Sequence, residues 1–173
     1  DAWRESLAAD VFIASDGPRL AADLPTLFLG SRGTLLFDLE VDLRDHAHHS
    51  GNWGGVLPNP GLILAHALAS LVDARGRLLV DGLRPPPIPP AVRQALARIE
   101  VGRDDDAPEL DPDWGEPGLS LAERLFGWNT LEVLAYKTGN PDTPVNAIPP
   151  RAWARCQLRF VVGVDPDDLV PAL

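Results

Sequence analysis

Methionine is absent from this 173-residue chain, and cysteine occurs once, at Cys156. A lone thiol excludes an internal disulfide and suits a reducing compartment, so the expected location is cytoplasmic. The missing methionine and the abrupt opening "DAWRESLAADVFIASDG" give the expectation of an internal piece of a longer protein. No apolar run approaches the roughly 18 residues that span a bilayer, and no signal-peptide pattern opens the sequence, so no membrane partner is expected. Basic residues are scarce: 15 Lys and Arg stand against 25 Asp and Glu, a formal net charge of −10. Phosphate backbones are repelled on average by such a chain, which argues against a nucleic-acid partner. With 45% hydrophobic and 23% charged residues, the composition is that of a globular protein. The length suits one domain and part of a second.

What is present alternates between strand and helix signals. "DVFIASDGP" (10–18) and "PTLFLG" (25–30) read as short strands. From Thr34 the pattern alternates strictly. Leu35, Phe37, Leu39, Val41 and Leu43 share one face, and Leu36, Asp38, Glu40 and Asp42 share the other. "PNPGLILAHALASLVDARG" (58–76) reads as a helix capped by Asn59, with Pro60 at its first position and Gly76 as its stop. Its apolar stripe is Leu64, Leu68, Leu71 and Val72.

Residues 81–118 are rich in Pro, Gly and Asp and read as an excursion with one short helix after the prolines. The acidic part, 102–118, reads as a solvated loop. Ser120 and Glu123 form a capping box for a short helix. "TLEVLAY" (130–136) is a strand, 138–150 a long loop, and 152–162 a second alternating strand. On that strand Ala152, Ala154, Cys156, Leu158, Phe160 and Val162 face one way, and Trp153, Arg155, Gln157, Arg159 and Val161 the other. A helix starts at 165. The order predicts an α+β fold, a ferredoxin-like antiparallel sheet with helices on one face.

The densest chemistry lies in "HAHHSGNWGG" (46–55). Such a cluster can bind a metal, stabilise an anion or stand in water. No carboxylate or cysteine at ligand spacing closes a metal site here, so a solvated loop is the reading for His46 and His48. If the strand from Leu35 ran on, His49 would share the parity of Leu43. Gly54 and Gly55 suit a tight turn after it. His66 reads as structural, Cys156 as buried and inert, and Trp53 and Trp128 as packing residues.

Four pieces in order, "FIASDG" (12–17), "HHSGNWGG" (48–55), "TPVNAIPPRAWA" (143–154) and "LRFVVGVDPDDL" (158–169), are similar to the lid, or dimerisation, domain of a peptidase family. The chain resembles the two-zinc metallopeptidases that include carnosinase, succinyl-diaminopimelate desuccinylase and glutamate carboxypeptidase. The resemblance implies that residues 1–32 are a fragment of the zinc-binding catalytic domain and 33–173 the lid. It implies two zinc ions in a full-length parent, a metal-bound water attacking an amide carbonyl, and a glutamate as general base. The family's His-x-Asp motif, bridging aspartate, Glu-Glu pair and distal histidine are not in this sequence. This chain alone is therefore expected to be inactive.

The resemblance also implies site roles. Asp16 would be a terminal ligand of one zinc; by its residues alone it reads as an Asx-turn aspartate before Gly-Pro. His49 would donate to the oxyanion of the tetrahedral intermediate in the partner subunit. Asn146, otherwise a turn former, would contact substrate. Arg159, otherwise a surface arginine, would grip a substrate carboxylate, likewise in the partner subunit, a task suited to its planar fork. The implied parent is a homodimer joined through the lid, acting on a dipeptide or N-acyl amino acid. Two other readings stand beside this one. The chain could be a non-catalytic ferredoxin-like dimerisation module, or a His-rich metal-binding protein.

Overall fold

A computed structural model of the chain describes residues 5–11, 20–21, 23–28 and 30–173. The expected "DVFIASDGP" strand from residue 12 on, Asp16 included, lies outside the described residues. The expected strand at 25–30 is not formed by its described residues, which carry no ladder.

The sheet has three antiparallel strands in the order β1-β5-β3: β1 is Gly33–Asp42, β3 Thr130–Thr138 and β5 Arg151–Phe160. β1 and β5 pair over their whole length, from Gly33↔Phe160 to Asp42↔Arg151. The period of two separates the faces as expected. Ala152, Ala154, Cys156 and Leu158 are all buried on one side of β5, while Arg151 and Arg155 are exposed on the other. β3 pairs with β5 and carries a bulge between Val133 and Ala135.

Helix α2, Pro60–Leu71, lies on the apolar face. Asn59 Oδ1 accepts from the Gly61 and Leu62 backbone N–H groups, and Pro60 takes the first helical position, where its missing N–H costs nothing. Leu64 packs on Ala152, Ala154 and Cys156, whose short side chains let the helix approach the sheet. The helix stops at Leu71, five residues before the expected Gly76. Val72 turns extended and bridges Leu78, and Gly76 (φ +73°) belongs to the turn between them. A second cluster, Leu71, Leu78, Leu83, Leu131, Leu158 and Leu169, joins this hairpin, a 3₁₀ turn at Asp81–Leu83 and helix α5, Pro166–Ala172, to the sheet. Each buried leucine contributes about 1.5–3 kcal/mol of transfer free energy.

The excursion carries α3, Pro90–Leu96, and α4, Leu121–Phe126, with the Ser120–Glu123 capping box in place. Its acidic part is more tethered than a solvated loop. Arg124 Nη1 donates to the Pro112 and Trp114 carbonyls, both at 2.6 Å, and the Gly115 N–H donates to the Arg75 carbonyl at 2.7 Å. Short elements complete the chain: β2 at His48–His49, α1 at Ser50–Trp53, and β4 at Ala147–Ile148.

Candidate functional site

The histidine stretch does not continue β1, which ends at Asp42, so strand parity does not set the direction of its rings. After a bend the chain forms β2, which pairs antiparallel with β4 in the register His48↔Ile148 and His49↔Ala147. This pairing lies inside the segment read as loop. It brings Asn146 beside His49, and the Ser50 N–H donates to the Asn146 carbonyl at 2.9 Å. Both side chains are exposed.

The imidazole of His49 is held from one side. Its Nδ1 accepts the Gly51 N–H at 3.1 Å, which makes His49 the N-cap of α1. His48 is half-buried, with its ring 4.9 Å from that of His46 and 6.1 Å, edge-on, from that of Trp53. The solvated-loop reading therefore suits the exposed His46 but understates the packing of His48. The turn after them uses Gly55 at φ +81°. His66, read as structural, lies on the exposed side of α2.

Sequence reasoning missed Arg44. Its guanidinium donates to the Pro149 carbonyl at 3.1 Å and to the Pro58 carbonyl at 2.5 Å. It thereby ties the exit of the histidine segment to the segment carrying Asn146. The available signal was its place just past an alternating strand whose polar positions are acidic.

Arg159 lies elsewhere. It pairs across the sheet with Thr34 and Thr130, and its Nε donates to Gln157 Oε1 at 3.1 Å. Along β5, eight residue steps of about 3.3 Å put Arg159 about 26 Å from Arg151. The His49–Asn146 pair sits beyond the Arg151 end, where the Leu43 N–H donates to the Pro150 carbonyl. The structure therefore joins His49 with Asn146 and leaves Arg159 at the opposite end.

Arg159 has charged company there. Burial, then the nearby charge of Arg159, lowers the Arg32 pKa, while Glu132 acts the other way. Arg32 Nη1 donates to Thr130 Oγ1 at 3.4 Å. Partial desolvation raises the Glu132 carboxyl above its usual range although the residue is exposed, and Arg32 opposes the shift. A cavity of about 670 Å³ opens beside them, lined by Leu20, Arg32, Thr130, Glu132 and Leu125 among others.

No metal centre is composed by the described residues: nowhere do three His, Cys, Asp or Glu side chains converge as ligands. The expected zinc site therefore has no fit among them. Cys156 is free and fully buried, and burial raises its thiol pKa, which matches the inert reading. No helix among the described residues is long and apolar enough to cross a membrane.

Comparison with known proteins decides the family. The model of the peptidase dimerisation domain of the M20 peptidases matches residues 29–173. The chain belongs to this family. The M20 dimerisation domain of this chain is similar to Beta-Ala-His dipeptidase of Mus musculus, 40% identical over 142 residues, covering 82% of this chain and 27% of the relative. It is also similar to Cysteinylglycine-S-conjugate dipeptidase of Corynebacterium striatum, 28% identical over 170 residues, covering 92% of this chain and 34% of the relative. The chain thus spans about a third or less of the length of these relatives. Among solved structures, human carnosine dipeptidase 1 superposes with a TM-score of 0.63 at 21% identity, covering 85% of this chain and 34% of that one. A metallo-carboxypeptidase from Sulfolobus solfataricus gives 0.64 at 23%, covering 83% and 39%. At those identities the likeness is one of fold, and it agrees with the antiparallel α+β reading.

Proposed function

We propose that this M20 dimerisation domain serves, within a longer polypeptide, as the lid of a metal-dependent dipeptidase acting as a homodimer. Residues 1–32 belong to the catalytic domain and 33–173 to the lid, with Asp16 as a ligand of one of two zinc ions. The chain by itself is inactive in this reading, because its sequence lacks the family's general base and most of its metal ligands. The buried free Cys156 suits a reducing cytoplasm.

The observation that carries the reading is the His49–Asn146 pair, made by the β2–β4 bridge and clamped by Arg44. An exposed imidazole and an exposed amide on adjoining, braced backbone can each donate to a bound substrate, the imidazole to an oxyanion. Their target is the substrate bound by the other copy.

Two surfaces support a dimer. β3 is an edge strand, and Val133, Leu134 and Tyr136 are exposed on it. α2 is apolar nearly all round, with Leu62 and Ile63 exposed on its outer side. The two adjoin, since Tyr136 Oη donates to the Gly61 carbonyl. A second copy laid across this patch about a two-fold axis covers both.

Arg159 takes a different place in this reading. A dipeptide is about 7 Å long when extended, far shorter than the reach from Arg159 to the Arg151 end of β5. One lid therefore does not bring Arg159 and His49 to the same substrate. The carboxylate grip and the oxyanion donor at one substrate come from different copies.

The test is kinetic, in the full-length parent. His49→Ala should lower turnover by about 10²–10³ with substrate affinity nearly unchanged, as for loss of one oxyanion donor. Asn146→Ala should do so by a smaller factor, and His46→Ala should be near neutral. Unchanged turnover in His49→Ala rejects the role.

A further inference from the structure

The N-cap of α1 is an imidazole, where a side-chain oxygen is the usual acceptor. A ring nitrogen that accepts an N–H uses its lone pair and carries no proton. In neutral His49 the Nδ1 that accepts from Gly51 is therefore the bare nitrogen, and the single proton sits on Nε2. Nε2 lies across the ring from that bond, on an exposed side chain, and has no partner among the described residues.

The contact requires residue 51 to be small. A Cβ there would lie 2.9 Å from His49 Cε1, closer than Cβ atoms come, and 3.1 Å from Nδ1, a tight contact, so the exposed ring would have to swing away from the residue-51 amide. The backbone does not ask for glycine, since Gly51 is not among the positive-φ positions. The ring folded against it does.

We propose that Gly51 is a positioning residue for His49: its backbone N–H holds the imidazole as the Nε2–H tautomer and presents that proton outward as a neutral hydrogen-bond donor. Only the identity of what the donor meets rests on the function proposed above. The tautomer itself follows from the Gly51 contact. For an oxyanion donor such fixing removes a reorganisation step, because the proton already sits on the outward nitrogen before charge develops.

The 173-residue chain, labelled with ¹⁵N, tests this directly at a pH where the imidazoles are neutral. His49 should show an unprotonated Nδ1 and a protonated Nε2, with a ¹⁵N–¹⁵N coupling across the hydrogen bond to the Gly51 amide. His46 and His48, which make no such bond, serve as controls. Gly51→Ala should abolish the coupling and let both tautomers appear. In the parent enzyme the same variant should lower turnover at least tenfold with affinity unchanged. A protonated Nδ1 in the wild-type chain overturns the proposal, and so does a Gly51→Ala chain that keeps the coupling. If Gly51→Ala fails to fold, the wild-type tautomer and coupling decide alone. His49→Ala in the parent separates the two ideas: unchanged turnover there sinks the catalytic role, while the spectra still decide the tautomer.

Discussion

Asn129 shows how much one side chain can carry. It is 1% exposed, its Nδ2 donates to the Leu83 carbonyl at 2.8 Å, and its Oδ1 accepts from the Val161 N–H at 2.9 Å. It thereby ties the 3₁₀ turn to the exit of β5 at the point where β3 begins. Asn129→Ala strands two backbone groups in a dry place and should cost on the order of 2–4 kcal/mol. Leu158→Ala, at 0% exposure, should cost about 2–5 kcal/mol by opening a cavity. Urea unfolding of both variants measures this, and a shift of only a few tenths for Asn129→Ala would mean that water replaces its bonds. In the sequence Asn129 reads as one more polar residue in a turn, because the partners that bury it lie 46 and 32 positions away. Asp16, His49 and Arg159 drew attention only through motifs. Arg44, which braces the His49 segment, has no motif of its own, and its role emerges only when three segments meet, whereas Gly51 lies within the quoted "HHSGNWGG" piece and its hold on His49 is local.

Among the elements, local chemistry was legible and long-range pairing was not. The Asn59 cap, the capping box at Ser120 and the alternation of β1 and of β5 as far as Phe160 are written within a few residues and appear as read, but the expected continuation to Val162 does not form: β5 ends at Phe160 and Val162 is 94% exposed. The end of α2 is different. Gly76 offered a stop, but Val72 leaves the helix first because it pairs with Leu78, a choice made by the hairpin. β4 is two residues long among prolines and exists only because β2 meets it. β3 carries a prediction of its own. Partial desolvation by its neighbours holds the Glu132 carboxyl above its usual range although the residue is exposed, so the folded chain binds that proton somewhat more tightly than the unfolded chain. Stability from this group is full below the unfolded pKa and is lost as pH rises through the raised folded value. Glu132→Gln should therefore raise the melting temperature relative to wild type near neutral pH, with the gain vanishing at about pH 3. Melting curves of both proteins across that range check it, and a gain that persists in acid would point to packing instead of charge.

For the whole molecule, the separation of Arg159 from His49 becomes a question of which copy serves which site. The arrangement proposed here gives each substrate the arginine of its own chain and the histidine and asparagine of the partner. If both came from the partner, the arginine would have to cross most of the length of β5, about 26 Å, to reach a substrate already touching His49. Subunit mixing in the full-length parent distinguishes the two. Arg159→Ala and His49→Ala homodimers should both be severely impaired. In the mixed dimer, the Arg159→Ala copy lacks its own arginine and receives a defective histidine, so its site is dead. The His49→Ala copy keeps its arginine and receives an intact histidine, so its site should recover. Co-expression with two affinity tags and tandem purification should yield mixed dimers with about one working site in two. If arginine and histidine reached a substrate from the same copy, each site in the mixed dimer would lack one of them, and no activity would return. Mixed dimers that form and stay inactive would therefore overturn the division of labour between copies.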